Sequence, residues 1–342
     1  MTDGTGHDEE LTAPIPAATV SEPAATPEPD PEPTPDPAVS PVAAAGAAAV
    51  GSTNLAKRVW LNRDSAWFWP LAGLVGYLLV LLFTFLANWI PFNDQKSTDV
   101  LFKQALPFQP ASWTFFIWIL IDILLGVYVV YTLTPGGQRS HRVRRVGGFF
   151  LISCAATIAW LFLWHWDQYL LSLIAILVLW ASLLVIYILA RSGNIDGRQP
   201  TTWQKIAIQL PFSVYIGWAS FATLTVFAVW ASRSWHSGNP FSDRSWAIVL
   251  MVIGTVLAAA FALFARDPIV PLVFVWGFFG IIQQQWNHST LVVVIAVVAA
   301  IACAALTVAA WSLRFNPDAL ADITSRRRRT APAEVSDQPP TP

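Results

Sequence analysis

The sequence predicts an all-α membrane protein, a bundle of about eight transmembrane helices. Of its 342 residues, 55% are hydrophobic and only 12% are charged, whereas a soluble domain carries about 25% charged residues. The mean hydropathy is correspondingly high, at +0.52. From residue 66 onward, apolar segments follow one another with short polar connections, and each has the roughly 20 residues needed to cross a hydrocarbon core. These observations exclude a soluble globular protein.

The first 56 residues differ in composition from the rest of the chain. Residues 1–50 are rich in proline, alanine and acidic residues, and they contain no Lys or Arg. Such a segment buries too little apolar surface to offset the entropy lost on ordering. We therefore expect a disordered cytoplasmic tail over residues 1–56. No basic region precedes an apolar core at the start of the chain, so we expect no cleaved signal peptide.

Eight apolar segments are candidate membrane crossings. They cover residues 66–90, 111–133, 146–166, 168–190, 206–232, 245–265, 268–286 and 289–313. Two places leave alternatives open. Only Asp167 separates the third segment from the fourth, and the seventh begins with Pro268 and Pro271 and ends in three glutamines. A hairpin or a half-inserted seventh segment also fits this pattern.

The basic residues predict the orientation, because cytoplasmic loops of membrane proteins carry an excess of Lys and Arg. With the N-terminus inside, only Lys96, Lys103, Arg233 and Arg244 fall in outer loops. We therefore expect eight crossings with both termini in the cytoplasm of a bacterial cell, and the protein in its plasma membrane. Residues 315–342 then form a basic and afterwards proline-rich cytoplasmic tail. We expect no nucleic-acid partner.

Asp122 is the only formally charged residue in the middle of any candidate crossing. Insertion scales assign a cost of about 2.5–3.5 kcal/mol to a carboxylate at the centre of a membrane helix. We therefore expect Asp122 to face the interior of the bundle, to be protonated, or to mark an ion or proton path. A neutral Asp hydrogen-bonded to a neighbouring helix is an open alternative. No second acid, His or Lys lies at a comparable depth to form a proton relay.

Aromatic side chains recur at helical spacing in three of the crossings. The shared faces are formed by Phe115, Trp118 and Asp122 in the second crossing, Ser153, Thr157, Trp160 and Trp164 in the third, and Tyr215, Trp218 and Ala222 in the fifth. Such stripes are suited to a groove for a flat apolar ligand, and they are equally suited to ordinary core packing. Five tryptophans lie deep enough that each indole N–H needs a partner: Trp118, Trp160, Trp180, Trp218 and Trp276.

Other chemistry is sparse in this sequence. The histidines do not occur in pairs with metal-ligand spacing, and both cysteines lie in apolar runs. The chain also has no glycine-rich phosphate loop and no nucleophile elbow. We therefore expect neither a metal site nor a disulfide, and no machinery for hydrolysis or ATP use.

Three segments together resemble the translocator protein family, also called TspO/MBR or tryptophan-rich sensory proteins. They are FQPASWTFFIWILIDILLGVYVVY at residues 108–131, ATIAWLFLW at residues 156–164 and LPFSVYIGWASFAT at residues 210–223. Their order and spacing are similar to those of the second, third and fifth helices of the family. The resemblance covers residue 66 to about residue 231. It implies a five-helix membrane domain over residues 57–232, often dimeric, that binds porphyrins and other flat hydrophobic molecules in an aromatic-lined cavity.

The resemblance also implies which side chains line that cavity. By position in the motifs they are Trp113, Phe115 and Trp118 from the second helix, Trp160 from the third, and Tyr215, Trp218 and Ala222 from the fifth. Asp122 stands where the family commonly has Tyr, and Thr157 and Val226 stand where it tends to have Asn. The identity of the ligand is therefore not inherited. Residues 245–314 add three further crossings, which indicates a longer, divergent member.

We therefore expect a non-enzymatic membrane protein that binds a flat hydrophobic ligand, porphyrin-like or haem-like, and has a sensory or regulatory role. Its expected partners are membrane lipid, the ligand and a second copy of the chain in a homodimer. Two alternatives remain open. One is a small-molecule transporter coupled through Asp122, and the other is an enzyme that degrades a bound porphyrin with tryptophans as electron donors.

Overall fold

The computed structural model describes residues 67–87, 97–103, 105–192, 201–234 and 242–315. Every regular element within these ranges is a helix. Seven helices are long and apolar enough to cross a membrane, and an eighth apolar helix is shorter. The prediction of an all-α membrane bundle is therefore confirmed. The predicted N-terminal tail, and all but the first residue of the predicted C-terminal tail, lie outside the described residues.

The helices follow the order of the predicted crossings, with short additional helices between them. Their bounds are α1 Trp67–Ala87, α2 Ser97–Phe102, α3 Ile117–Leu133, α4 Pro135–Gln138, α5 His141–His165, α6 Tyr169–Arg191, α7 Thr202–Gln204, α8 Leu210–Ser234, α9 Asp243–Phe264, α10 Ile269–Gln285 and α11 Thr290–Phe315. A 3₁₀ turn, Ser112–Phe116, leads into α3, and a π turn, Lys205–Gln209, leads into α8. The π turn ends two residues before Pro211, which has no N–H to donate to the preceding turn.

At the two places that the sequence left open, the structure shows two separate helices on either side of Asp167 and one short helix over the seventh segment. Helices α5 and α6 are separate and are joined by a tight turn in which Asp167 has a φ of 55°. Helix α10 is continuous over 17 residues, which corresponds to about 26 Å and lies at the lower limit for a membrane crossing. Pro271 lies in the first turn of α10, where a missing N–H breaks no helical hydrogen bond.

Helix α8 occupies the centre of the bundle. It packs against α3, α6, α9 and α10, and buried residues occur along nearly its whole length. Helices α5 and α6 form an antiparallel hairpin, and α9, α10 and α11 pack against one another. Helix α1 reaches α3 through the Tyr77 hydroxyl, which donates to the backbone carbonyl of Asp122 at 2.8 Å. Helices α9, α10 and α11 are thus joined to the preceding helices mainly through α8.

A stripe of small residues brings α9 close to its neighbours. Ala258 and Ala262 are fully buried. A Cβ placed on Gly254 would lie 3.0 Å from the ring of Phe274 in α10 and 3.3 Å from Leu224 in α8. Small residues at a spacing of four allow helix axes to approach closely. In this chain the close contact is made within the protein itself.

A largely buried ion pair joins α6, α8 and the segment just before α10 at one end of the bundle. Arg191 Nη2 donates to Asp267 Oδ2 at 2.6 Å and to Ser213 Oγ at 2.5 Å. The same carboxylate accepts from the Tyr187 hydroxyl at 2.9 Å and, through Oδ1, from the backbone N–H of Ile269 at 2.9 Å. The Arg191 guanidinium also lies 3.7 Å above the ring of Tyr187. The Asp267 side chain therefore holds the start of α10 against two other helices.

Candidate ligand-binding cavity

A cavity of about 870 Å³ lies between α1, α3, α5 and α8, at the end of the bundle where α1 and α5 end and α3 begins. Its volume is within the range of about 300–1,000 Å³ that is usual for small-molecule sites. At the other end of α3, the rings of Tyr128, Phe150 and Phe212 fill the space between α3, α5 and α8, with centroids 4.9–6.2 Å apart. At the cavity end of the same helices, smaller side chains such as Thr157 and Ala222 leave this space empty.

Three tryptophans and a phenylalanine form a continuous aromatic wall across this cavity. Trp118 of α3 stacks on Trp160 of α5, with ring centroids 5.8 Å apart and ring planes 24° apart. Trp218 of α8 meets Trp118 edge to face at 6.4 Å and meets Phe115 in the same way at 5.8 Å. Offset and edge-to-face arrangements are favourable for aromatic pairs. The wall therefore presents ring faces and edges from three different helices.

Four of the five deep tryptophans divide into two groups by the hydrogen bonds of their indole nitrogens. Trp180 donates from Nε1 to Ser220 Oγ at 2.8 Å, and Trp276 donates to the backbone carbonyl of Thr114 at 2.9 Å. The indole nitrogens of Trp160 and Trp218 are buried and have no hydrogen-bond partner within the described residues. A buried donor without a partner is unusual, because the loss of its hydration is not compensated. Both of these tryptophans line the cavity.

Asp122 lies in the cavity wall one helical turn after Trp118. Within the described residues its carboxyl group makes no hydrogen bond and no ion pair. Asp122 is the only charged side chain among the described residues that line the cavity, and that lining contains no Lys, Arg or His. The site therefore combines a large apolar aromatic surface with one acid group that has no counter-ion in the described part of the chain.

Eight of the ten predicted site residues line this cavity. They are Phe115, Trp118, Asp122, Thr157, Trp160, Trp164, Trp218 and Ala222. Tyr215 lies directly behind the wall, where its hydroxyl is 2.7 Å from Thr157 Oγ1 and its ring is 6.0 Å from that of Trp118. The three aromatic stripes that the helical spacing predicted therefore meet at this cavity.

Trp113 lies elsewhere, against α10. Its ring is 4.7 Å from that of Trp276 and 5.7 Å from that of Phe279, and its Nε1 donates to Gln283 Oε1. Trp118 comes five positions after Trp113, so in a regular helix the two side chains would point about 140° apart. The 3₁₀ turn that contains Trp113 adds to this difference. This position is consistent with a role in holding α3 to α10.

Sequence reasoning missed the contribution of α1 and α2 to the cavity. Leu81 and Phe85 of α1 line it, as do Thr98 and Leu101 of α2. Neither helix carries an aromatic stripe, and Thr84 is the only polar cavity residue of α1. Helix α2 is tied to the turn between α5 and α6, because Lys103 Nζ lies 2.5 Å and 2.7 Å from the two carboxylate oxygens of Asp167. No signal in the sequence pointed to that pairing.

A comparison with models of protein families matches residues 70–309 to the family of TSPO-like proteins. The chain belongs to this family. The match covers more than two thirds of the chain and continues well past residue 231, where the motif resemblance ended, through α9 and α10 and into α11. The matched region of this TSPO-like protein therefore includes α9, α10 and most of α11. Neither the search of curated proteins nor the search of solved structures found a match.

Proposed function

We propose that this TSPO-like protein binds a flat, largely apolar ligand of porphyrin-like size in the cavity between α1, α3, α5 and α8. The observation that carries the proposal is a cavity of about 870 Å³ bordered by two tryptophans whose indole N–H groups have no partner in the described residues. Acceptor atoms on a ligand would supply those partners. The aromatic wall supplies faces on which a planar ring system stacks.

We further propose a sensory or regulatory role rather than an enzymatic one, exerted from a bacterial plasma membrane. The distribution of basic residues supports cytoplasmic termini. In that orientation the cavity would lie in the outer half of the bundle. Apolar side chains that are exposed on the outside of the helices, such as Val298 and Ile301 of α11, would contact lipid. We also propose that two copies of the chain form a homodimer, as the resemblance to the translocator protein family implies.

Saturable binding of protoporphyrin dimethyl ester is the first expected result. The esterified porphyrin is flat and lacks carboxylate charges, so it tests shape and apolar character alone. Replacing Trp118 by Phe is expected to weaken its binding roughly three- to tenfold, because an aromatic pair contributes about 0.5–1.5 kcal/mol. The measurement is a titration of the purified protein in detergent, followed by the shift of the porphyrin absorbance band.

A Trp180→Phe variant is the matched control for this titration. Trp180 is a deep tryptophan outside the cavity lining, and its N–H already has Ser220 as a partner. We expect its affinity for the ester to equal that of the unmodified protein. Binding that does not saturate, or equal weakening by both substitutions, would contradict the proposed site.

Transport is a second candidate function, and it is favoured by the carboxyl group of Asp122 in the cavity wall, which has no partner in the described residues. An acid inside a membrane bundle is a frequent coupling group in transporters. In this case vesicles containing the protein would accumulate a dye of suitable size, and Asp122→Asn would abolish the accumulation while leaving binding of the uncharged ester intact. Unchanged accumulation in that variant would remove Asp122 from a coupling role.

A further inference from the structure

We propose that the ligand is an organic cation, a flat aromatic body that carries one positive charge placed against Asp122. This inference rests on the proposed binding function and specifies the chemical class of the ligand. It depends on the charges around the cavity, on the aromatic surface next to Asp122 and on the absence of a base among the described lining residues.

Three basic side chains of the bundle have partners other than Asp122. Arg191 pairs with Asp267, and Lys103 pairs with Asp167. Arg233 of α8 lies over the ring of Tyr169, 5.1 Å from its centroid. Tyr77 donates to the backbone carbonyl of Asp122, and no bond to the carboxyl oxygens accompanies it in the described residues. Asp122 is half-buried in an apolar cavity wall, where a carboxylate is stabilised by a counter-ion or by hydrogen-bond donors. A cationic ligand supplies the counter-ion.

The aromatic neighbours of Asp122 favour the same class of ligand. Trp118 lies one turn before Asp122 on the same helix face, and Trp160 stacks on Trp118 across the cavity. The face of an indole ring attracts a cation more strongly than the face of any other side chain. A delocalised cation held between these rings would lie beside the carboxylate. A ligand that carries carboxylates would meet Asp122 and find no Lys, Arg or His among the described lining residues.

Three acridines of nearly equal shape separate charge from shape. N-methylacridinium is a permanent cation, acridine is uncharged at mildly alkaline pH, and acridine carboxylate is an anion. We expect N-methylacridinium to bind the unmodified protein about tenfold more tightly than acridine, because a carboxylate and ring faces both act on its charge. Acridine carboxylate is expected to bind more weakly than acridine. Calorimetry in a non-ionic detergent, corrected with protein-free micelles, measures all three.

Two variants test whether Asp122 is the source of this preference. Asp122→Asn keeps the size of the side chain and is expected to remove the preference for the cation, with little change for acridine. Asp243→Asn removes the same charge from an exposed position at the start of α9, and we expect it to retain the full preference.

The outcomes distinguish this inference from the proposed function. Equal binding of cation and neutral acridine, with Trp118→Phe weakening both, would overturn the cation assignment and leave the aromatic site intact. A cation preference that survives Asp122→Asn would also overturn it. If no acridine binds and protoporphyrin dimethyl ester does not bind either, the proposed function itself fails.

Discussion

Replacing Asp267 by Asn is expected to lower the free energy of unfolding by about 3–5 kcal/mol, the cost of removing one partner from a buried ion pair. Asp267 is 1% exposed, and its carboxylate accepts three hydrogen bonds, from Arg191, Tyr187 and the backbone N–H of Ile269 at the start of α10. An amide would leave the Arg191 guanidinium without its counter-charge. Helix α10 would then lose its attachment to α6 and α8.

Asp167→Asn is the matched control for this prediction. Asp167 also pairs with a cation and accepts from a tyrosine hydroxyl, that of Tyr169 at 2.7 Å, but its side chain is 35% exposed. Asn tolerates the positive φ at this position, and an exposed ion pair contributes about 0–1 kcal/mol. Thermal unfolding in detergent, followed by circular dichroism, compares the two variants. Equal shifts of the midpoint would show that burial does not set the strength of the Asp267 network.

Gly277→Ala is expected to destabilise the protein by about 1–3 kcal/mol, the usual cost of overfilling a packed core, and to weaken ligand binding. A Cβ on Gly277 would lie 2.5 Å from the ring of Phe221. That ring is fully buried and contacts Phe108, Phe274 and Phe278, so it has little space to move. Phe221 stacks on Trp218 at 5.5 Å. A displaced Phe221 would therefore shift part of the cavity wall.

Gly148→Ala provides the comparison for a helical glycine without such a contact. A Cβ on Gly148 would lie 3.5 Å from the nearest atom, in Trp69, which is an ordinary contact distance. Because Ala favours a helix over Gly by about 1 kcal/mol, this variant is expected to be at least as stable as the unmodified protein. Titration with protoporphyrin dimethyl ester and thermal unfolding measure both variants. If Gly277→Ala binds the ester as well as the unmodified protein does, α10 does not influence the shape of the cavity.

The cavity-lining residues of α3, α5 and α8 could be predicted from the sequence, because helical spacing determines which residues of one helix share a face. Phe115, Trp118 and Asp122 line the same cavity as Trp160 and Trp218, and each stripe was visible before the helices were placed together. Spacing could not decide which deep tryptophans are structural. Trp180 and Trp276 have a structural role, because the N–H of Trp180 donates to Ser220 and that of Trp276 donates to the backbone carbonyl of Thr114. Such partners come from other parts of the chain and leave no local pattern.

The sequence by itself determined the all-α membrane architecture, because the length and apolar character of a crossing are local properties set by the thickness of the hydrocarbon core. It also singled out Asp122, since exposure of a charge to hydrocarbon is costly, but it left open whether this residue faces the interior, is protonated or marks an ion path. Only the tertiary structure decided that α1 and α2 complete the cavity, that Trp113 packs on α10, and that Asp267 pairs with Arg191. These features depend on contacts between segments far apart in the chain, and such contacts follow from how the helices pack rather than from the periodicity of any one of them.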